Sequence, residues 1–339
     1  MPKWLICVPL AIQWLWLSLR YGSLTLPSCA NPAITAGGLV GETKMEYFNS
    51  MGATALSCTA PHCVLTPAGR RTMDEARSRM RAAGLDFPLI AKPDMGMCGY
   101  GVRLIADQAA LQGYFESYPR QEDVVLQQYL PNEGEAGIFY ARSPECPSGR
   151  VIGLALRYFP QVTGDGVSSI AQLMRADPRA RRVDGRADHQ FTLDRTRVPP
   201  PGHVVRLSTV GSVRIGGLYR DGQPYITLAL ARAIDAIARD MTAFHFGRFD
   251  VRFDDLALLA QGKGFRIMEV NGAGSEAIQA WDPDTGLAQA FRTIFAKQRE
   301  LFAIGSANRA QGCRPIGLWR LARLHFRQQK LLGTYPPSN

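Results

Sequence analysis

The sequence predicts an α+β fold. Helical and strand periodicities alternate along the chain, yet several strands follow one another directly as hairpins, which does not suit a doubly wound parallel sheet. The glycine-rich stretch Asp94 to Gly101 points the same way, because it leads from strand to strand. A dinucleotide or Walker-type loop would open a helix and carry Gly-x-Gly-x-x-Gly or Gly-Lys-Ser/Thr, and Gly96-x-x-Gly99-x-Gly101 fits neither. With 339 residues, 46% of them hydrophobic and 20% charged, the chain has material for a sizeable core and two or three lobes.

The elements follow in order. Trp4 to Leu19 is a strongly apolar run, short of the ~20 residues of a bilayer span and interrupted by Pro9 and Gln13. It meets Arg20, Tyr21 and Gly22 rather than a small-residue cleavage site, so a buried soluble element is favoured over a membrane anchor or signal peptide. Residues 22–44 are dense in Gly, Pro and Asn and read as loops, either a plain connector or a carrier of binding groups. Thr72 to Ala83 reads as a helix, capped by Thr72 with Glu75 three residues on and stopped by Gly84. Pro88 to Lys92 and Val102 to Ile105 are short strands around the glycine loop, Asp107 caps a helix to Ser117, and Val124 to Leu130 is a further strand.

Gly137 to Arg142 and Arg150 to Phe159 follow as strands, and Ser168 opens a short helix through Met174. Residues 175–200 are polar and arginine-rich and read as a surface loop or lid. Ile226 to Met241 has helical period, Phe246 to Arg252 and Phe265 to Val270 are strands joined by an Asp- and Gly-rich turn, and Leu287 to Phe302 is a helix.

The formal net charge of +10 fits an anionic ligand such as a nucleotide, and equally nucleic acid or a membrane surface. Nucleic-acid binding has no aromatic platform or motif behind it beyond charge, so it is not expected. Of the seven cysteines only Cys58 and Cys63, with His62, cluster, and they lack a second ligand pair at zinc-site spacing. They read as reduced thiols of a cytoplasmic protein.

Three segments carry chemistry. Lys92 ends a strand ahead of the glycine loop, where backbone N–H groups converge on phosphate oxygens without Cβ obstruction and a lysine adds charge; a plain glycine-rich hairpin is the alternative. Gln127, Gln128, Tyr129 and Leu130, followed by Glu133 and Glu135, place a strand end beside carboxylates. Its backbone could read an adenine edge and a carboxylate could take two ribose hydroxyls, or the acids are simply solvated. Finally, period-two alternation puts Arg248, Asp250 and Arg252 on one strand face, and Glu269 and Asn271 on one face of the next. If those strands pair, three oxygen ligands converge as magnesium requires; a structural ion-pair cluster uses the same residues.

The order of these segments resembles the ATP-grasp superfamily, in particular D-alanine–D-alanine ligases and the ATP-grasp region of cyanophycin synthetase. The resemblance covers roughly residues 86–305. Gly247-Arg248-Phe249-Asp250 with Glu269-Val270-Asn271 is its most specific part, the step from Gln128 to Glu135 matches the ligase hinge, and Val162 to Gly166 with Ser169-Ile170 looks like a segment of cyanophycin synthetase. It implies an ATP-grasp fold, two α+β subdomains gripping ATP, over residues 86–305, with a short amino-terminal lobe at 1–85 on the substrate side and a basic tail at 306–339.

It also implies roles. Lys92 and the loop with Gly96, Gly99 and Gly101 hold the phosphates, with Arg157 as a further contact. Gln128, Tyr129 and Leu130 form the adenine hinge and Glu135 takes the ribose; Gln128 stands where the ligases usually have Glu. Asp250, Glu269 and Asn271 bind one or two magnesium ions, manganese being an alternative. Arg248 stabilises the acyl phosphate and the tetrahedral species. Arg206, with Ser208 and Arg214, approaches the carboxylate substrate, Ser275 and Glu276 approach the acceptor, and the Asn31 to Lys44 loops complete the pocket. The expected activity is ADP-forming ligation of a small-molecule carboxylate, an amino acid or small peptide, to an amine. Two other readings stand beside it: a small-molecule kinase on the same scaffold, and a nucleotide-binding regulatory or membrane-associated module without turnover. For the last, residues 301–339 hold six Lys or Arg and no acid, and residues 317–331 interleave aromatic and basic side chains. A basic tail packed on the protein or loose in solvent is favoured over membrane contact there, as it is for residues 4–19.

Overall fold

The computed structural model describes residues 3–67, 72–184, 193–208 and 211–338. In chain order its helices are α1 (Lys3–Tyr21), α2 (Lys44–Asn49), α3 (Ala53–Ser57), α4 (Met73–Ala82), α5 (Gln108–Ser117), α6 (Ile170–Ala176), α7 (Arg181–Asp184), α8 (Leu228–Arg239), α9 (Leu256–Ala260), α10 (Leu287–Ala310) and α11 (Leu318–Leu332). Its strands are β1 (His62–Leu65), β2 (Leu89–Pro93), β3 (Arg103–Ile105), β4 (Val124–Gln128), β5 (Gly134–Ala141), β6 (Arg150–Tyr158), β7 (Gln161–Thr163), β8 (Val204–Arg206), β9 (Leu218–Asp221), β10 (Phe246–Phe253) and β11 (Phe265–Asn271). The class is α+β with antiparallel sheets, as the alternation with hairpins predicts. The chain divides into two compact units, neither continuous in sequence: Met1–Thr59, Asn132–Leu156 and Arg220–Gln329 form the first, and Ala60–Pro131, Arg157–Tyr219 and Lys330–Asn339 the second.

In the second unit a sheet of order β1-β4-β2-β3 carries α4 and α5. Both helices start at the caps the sequence marks: Thr72 Oγ1 accepts from Glu75 N–H at 3.2 Å, and Asp107 Oδ1 from Ala110 N–H at 2.9 Å. Ala76, Met80, Leu111 and Tyr114 pack against Leu65, Leu89, Ala91 and Leu126 of the sheet. β1 has no counterpart among the sequence expectations, because four residues show no usable period; it forms by pairing with β4.

The hairpin β7–β8 and helices α6 and α7 make a separate small core of Val162, Ile170, Met174, Ala180, Val183, Val205 and Leu207. The cap of α6 is Ser169, in a capping box with Gln172, rather than the expected Ser168; Ser168 N–H donates instead to Asp165 Oδ1 at 2.7 Å. Part of the expected loop 175–200 is folded, since α6 runs to Ala176, and Ala180 and Val183, just before and within α7, are buried beside it. Residues 185–192 of that loop lie outside the described residues.

The first unit is built on the sheet β11-β10-β5-β6-β9, with β10 antiparallel to both β5 and β11. Tyr140 on β5 donates to Asp235 of α8 at 2.7 Å, and α8 buries Leu230, Ile234 and Ile237. Residues 22–44 are more than a connector. Two 3-10 turns, Leu26–Cys29 and Thr35–Gly38, lie in them, and Asn31 is fully buried. Its side chain donates to the Gly37 and Phe246 carbonyls (2.9 and 2.8 Å) and accepts from His245 and Phe246 N–H (2.8 and 3.0 Å), so one amide splices the amino-terminal turns onto the start of β10. Helix α10 runs past the expected Phe302 to Ala310 because Ile304, Gly305 and Asn308 are buried there; a Cβ at Gly305 would lie 2.6 Å from the Leu26 carbonyl.

The amino-terminal run is a helix buried on one face only, which corrects the expectation of a buried element. Trp14, Leu17 and Tyr21 pack on α10, with the Trp14 and Phe302 rings 5.1 Å apart, and Gln13 donates to the Phe295 carbonyl at 2.9 Å. Ile12, Leu15, Trp16 and Leu19 stay exposed. Among the described residues no helix is long and apolar enough to cross a membrane.

Candidate functional site

The segment Gly247 to Asp250 lies on β10, and Glu269 to Asn271 closes β11. The register pairs Asp250 with Glu269 and Arg248 with Asn271, and a bulge follows between Asp250 and Val251. The sequence leaves the pairing of these strands conditional; they do pair, so these residues meet. Asp250 is 2% exposed. The Arg248 guanidinium grips it in a fork, Nε to Oδ1 at 2.6 Å and a terminal nitrogen to Oδ2 at 3.0 Å, and Asn271 Nδ2 donates to Oδ2 at 3.1 Å. Glu269 pairs with the buried Lys44 ammonium at 3.2 Å. Arg252 pairs at 3.3 Å with Glu135, both buried, and also donates to the Asn132 carbonyl at 2.8 Å.

Behind Asn271 the chain turns against the amino-terminal loop. Ala273 and Gly274 N–H donate to the Gly37 and Gly38 carbonyls at 3.1 and 2.6 Å. Gly38 has φ +79°, and a Cβ on it would meet the Tyr47 hydroxyl at 2.2 Å and Gly272 Cα at 2.6 Å, so only glycine fits. Burial pushes the Glu42 carboxyl up, with Lys44 working against it, and raises the Tyr47 phenol well above its ordinary value.

The second unit holds the other sequence-marked residues. Lys92 is 5% exposed and its ammonium donates to Gln127 Oε1 at 2.7 Å. The glycine loop turns through positive φ at Cys98, Gly99 and Gly101, and its carbonyls are held from four sides. Tyr335 donates to Met95 at 2.6 Å, Arg214 to Cys98 at 3.3 Å, Ser338 to Gly99 at 2.5 Å and Tyr114 to Gly101 at 2.9 Å. Gln128 ends β4 exposed with its N–H on the Pro61 carbonyl (2.9 Å), Tyr129 is half-buried and Leu130 buried. Arg206 lies 3.4 Å over the Phe159 ring and donates to the Ser208 carbonyl at 2.9 Å. Arg214 lies 4.3 Å over Tyr100, and Arg157 lies 5.8 Å over Tyr219.

The structure thus brings Arg248, Asp250, Glu269 and Asn271 together in one unit, and Lys92, Gly96, Gly99, Gly101, Gln128, Tyr129, Leu130, Arg157 and Arg206 belong to the other; Glu135 sits with the first. Tyr335 and Ser338, which hold the loop, are absent from the sequence expectations; Gln127 enters there only as part of the strand end and Lys44 only as the end of the 31–44 loops, without the partners found here. Each acts on a segment far away in the chain, and sequence period carries no signal for such pairs.

Among the described residues no three His, Cys, Asp or Glu side chains cluster as a metal site. Asp250 and Glu269 are two carboxylates on adjacent strands in paired register, and Asn271 brings an amide oxygen. That set fits magnesium in kind, as a hard ion served by one or two carboxylates and substrate oxygens. In the present arrangement Arg248 and Lys44 neutralise the same carboxylates.

No protein-family model matches the chain, and no curated protein matches it. Solved structures with a similar backbone include a bifunctional glutathione synthetase from Pasteurella multocida, with a TM-score of 0.40 and 16% identity over 75% of this chain and 37% of that one. A D-alanine–D-alanine ligase from Bacillus anthracis gives 0.45 and 13% over 83% of this chain and 72% of that one. A D-cycloserine synthetase gives 0.43 and 12% over 77% and 70%. Scores below 0.5 at such identities carry no functional assignment, which rests on the residues.

Proposed function

We propose that this protein is an ATP- and magnesium-dependent carboxylate–amine ligase of the ATP-grasp kind. The observation that carries the reading is the register of β10 against β11, which sets Asp250 opposite Glu269 and Arg248 opposite Asn271 within the most specific motif of the sequence. In the proposed reaction a substrate carboxylate oxygen attacks the γ-phosphorus of ATP, giving an acyl phosphate and ADP. The amine then attacks the acyl carbon, phosphate leaves with the bonding electron pair, and the nitrogen loses a proton.

Asp250, Glu269 and the Asn271 amide oxygen would hold magnesium, which when bound neutralises phosphate charge. Lys92 and the glycine loop bind the phosphates, Gln128, Tyr129 and Leu130 the adenine, Glu135 the ribose and Arg157 a further phosphate oxygen. Arg248 is released from Asp250 to meet the acyl phosphate, and Arg206 orients the carboxylate. Positioning and charge stabilisation supply the rate, with no protein nucleophile.

The test is incubation with ATP, magnesium and pools of amino acids, following ADP, phosphate and product mass. ADP with free phosphate and an amide product is the expected outcome. A phosphorylated product instead shows a kinase, and nucleotide binding without ADP shows a regulatory module. Glu269→Ala is expected to abolish turnover; normal turnover in that variant overturns the metal assignment.

A further inference from the structure

The first unit carries a cavity of about 440 Å³ that the roles above leave unused. Helix α10 walls it on one side, and Phe139, Arg150, Ile152 and the 3-10 turn Ile278–Trp281 supply the other. On α10 the positions Arg292, Ala296 and Arg299 fall four and then three apart, so they share a helix face, with Lys297 and Glu300 beside them. Ala296 and Ala277 are small, which leaves the space open. The volume suits a molecule of amino-acid to dipeptide size.

The charge of this wall is unbalanced. Arg150 takes up Glu300 at 2.7 Å. Arg292 donates only to the neutral Gln289 at 3.2 Å, and Lys297 and Arg299 have no ion-pair partner among the described residues. Three cations within two helical turns repel one another unless an anion joins them. Lys297 is partly buried; desolvation, then the nearby charge of Arg248, lowers its pKa to about 7, with Glu276 opposing. The floor of the cavity adds an orphaned acceptor. Gln279 is 8% exposed and its Oε1 is buried with no hydrogen-bond partner, which a ligand N–H donor would satisfy. Phe139 is shared with the reaction centre, because the Arg248 guanidinium lies 5.7 Å over its ring.

We propose that this cavity binds a substrate of the ligation, a dicarboxylic amino acid, with its carboxylates on Arg292, Lys297 and Arg299 and its amino group on Gln279 Oε1. The inference rests on the ligase reading, whose substrate class it names. Nothing in it requires a nucleotide to be bound first, so the two fail separately.

Calorimetric titration of the full chain with L-glutamate, D-glutamate, glutarate, L-alanine and O-phosphoserine tests it, with magnesium–ATP titrated in parallel. One glutamate enantiomer is expected to bind at least tenfold more tightly than alanine or glutarate. Arg292→Gln and Arg299→Gln, both at exposed positions that tolerate the change, are expected to weaken glutamate at least tenfold together and leave magnesium–ATP unchanged. Gln279→Leu is expected to remove the preference for glutamate over glutarate. Glutamate binding that both arginine variants leave intact overturns the proposal. So does failure of both glutamates to bind, tighter binding of phosphoserine, or loss of magnesium–ATP binding in the arginine variants, which would make the cavity part of the nucleotide site. Glutamate binding with no magnesium–ATP binding overturns the ligase reading alone.

Discussion

Asp250 receives a forked pair of bonds from Arg248 and a third from Asn271 while 2% exposed, so a change to it acts on stability and, in the proposed reaction, on turnover as well. Asp250→Asn is expected to lower turnover by about 100-fold or more and to cost roughly 1–3 kcal/mol, because the guanidinium loses its carboxylate in a dry site. Steady-state rates and urea denaturation of the same preparation separate the two effects. All four side-chain bonds of Asn31 are buried backbone contacts. Asn31→Ala is expected to destabilise the protein by roughly 2–4 kcal/mol, measured by chemical denaturation, since it strands donors and acceptors at the start of β10. At this scale the sequence marks the acids and the arginine of the site by alternation. It does not show that Lys44 pairs with Glu269 or that Asn31 bonds His245 and Phe246, all more than two hundred residues away.

The elements with strong local signals stand where the sequence puts them. Thr72 and Asp107 cap their helices, and the strands around the glycine loop differ from expectation by a residue or so at their ends. Thr72→Ala is expected to cost about 1 kcal/mol of unfolding free energy. The glycine loop is a different case, because its shape is held by tertiary bonds. Tyr335 stacks on Tyr118, with rings 5.4 Å apart and 9° from parallel, and its hydroxyl reaches the Met95 carbonyl. Tyr335→Phe keeps the stack and removes one hydrogen bond, so the KM for ATP is expected to rise by up to about tenfold with little change in kcat. An unchanged KM would show that the loop keeps its shape without that bond. Missed elements such as β1 and the 3-10 turns of residues 26–38 are short pieces stabilised by what they pair with, and local propensity does not specify them.

Over the whole molecule, two imidazoles, one in each unit, contribute to acid sensitivity: His245, which is buried, and His62, which is half-buried. Burial lowers His245 to about 4, with the Arg142 charge adding to the effect, and burial also lowers His62. Both are easier to protonate in the unfolded chain, so their contribution to stability is complete above the unfolded value near 6.5. It declines as pH falls through 6.5 toward the folded value and levels off below that. For His245, which is 8% exposed, the span corresponds to about 3 kcal/mol lost between pH 7 and 4. Urea denaturation at the two pH values reads the loss, and His245→Gln is expected to shrink it.

The sequence by itself determined the α+β class, the capped helices, the two strands that carry Arg248, Asp250, Glu269 and Asn271, and the strand-to-strand glycine loop. These are local facts, written as periods of two or 3.6, cap residues and glycines at fixed offsets. Only the tertiary structure decided that the amino-terminal run exposes half its apolar surface, since periodicity gives a stripe but not what covers it. It alone decided that residues 335–338 hold the glycine loop and that α10 turns its arginines and Lys297 toward a cavity. Those pairings join segments remote in sequence, and their geometry exists only after the chain has closed on itself.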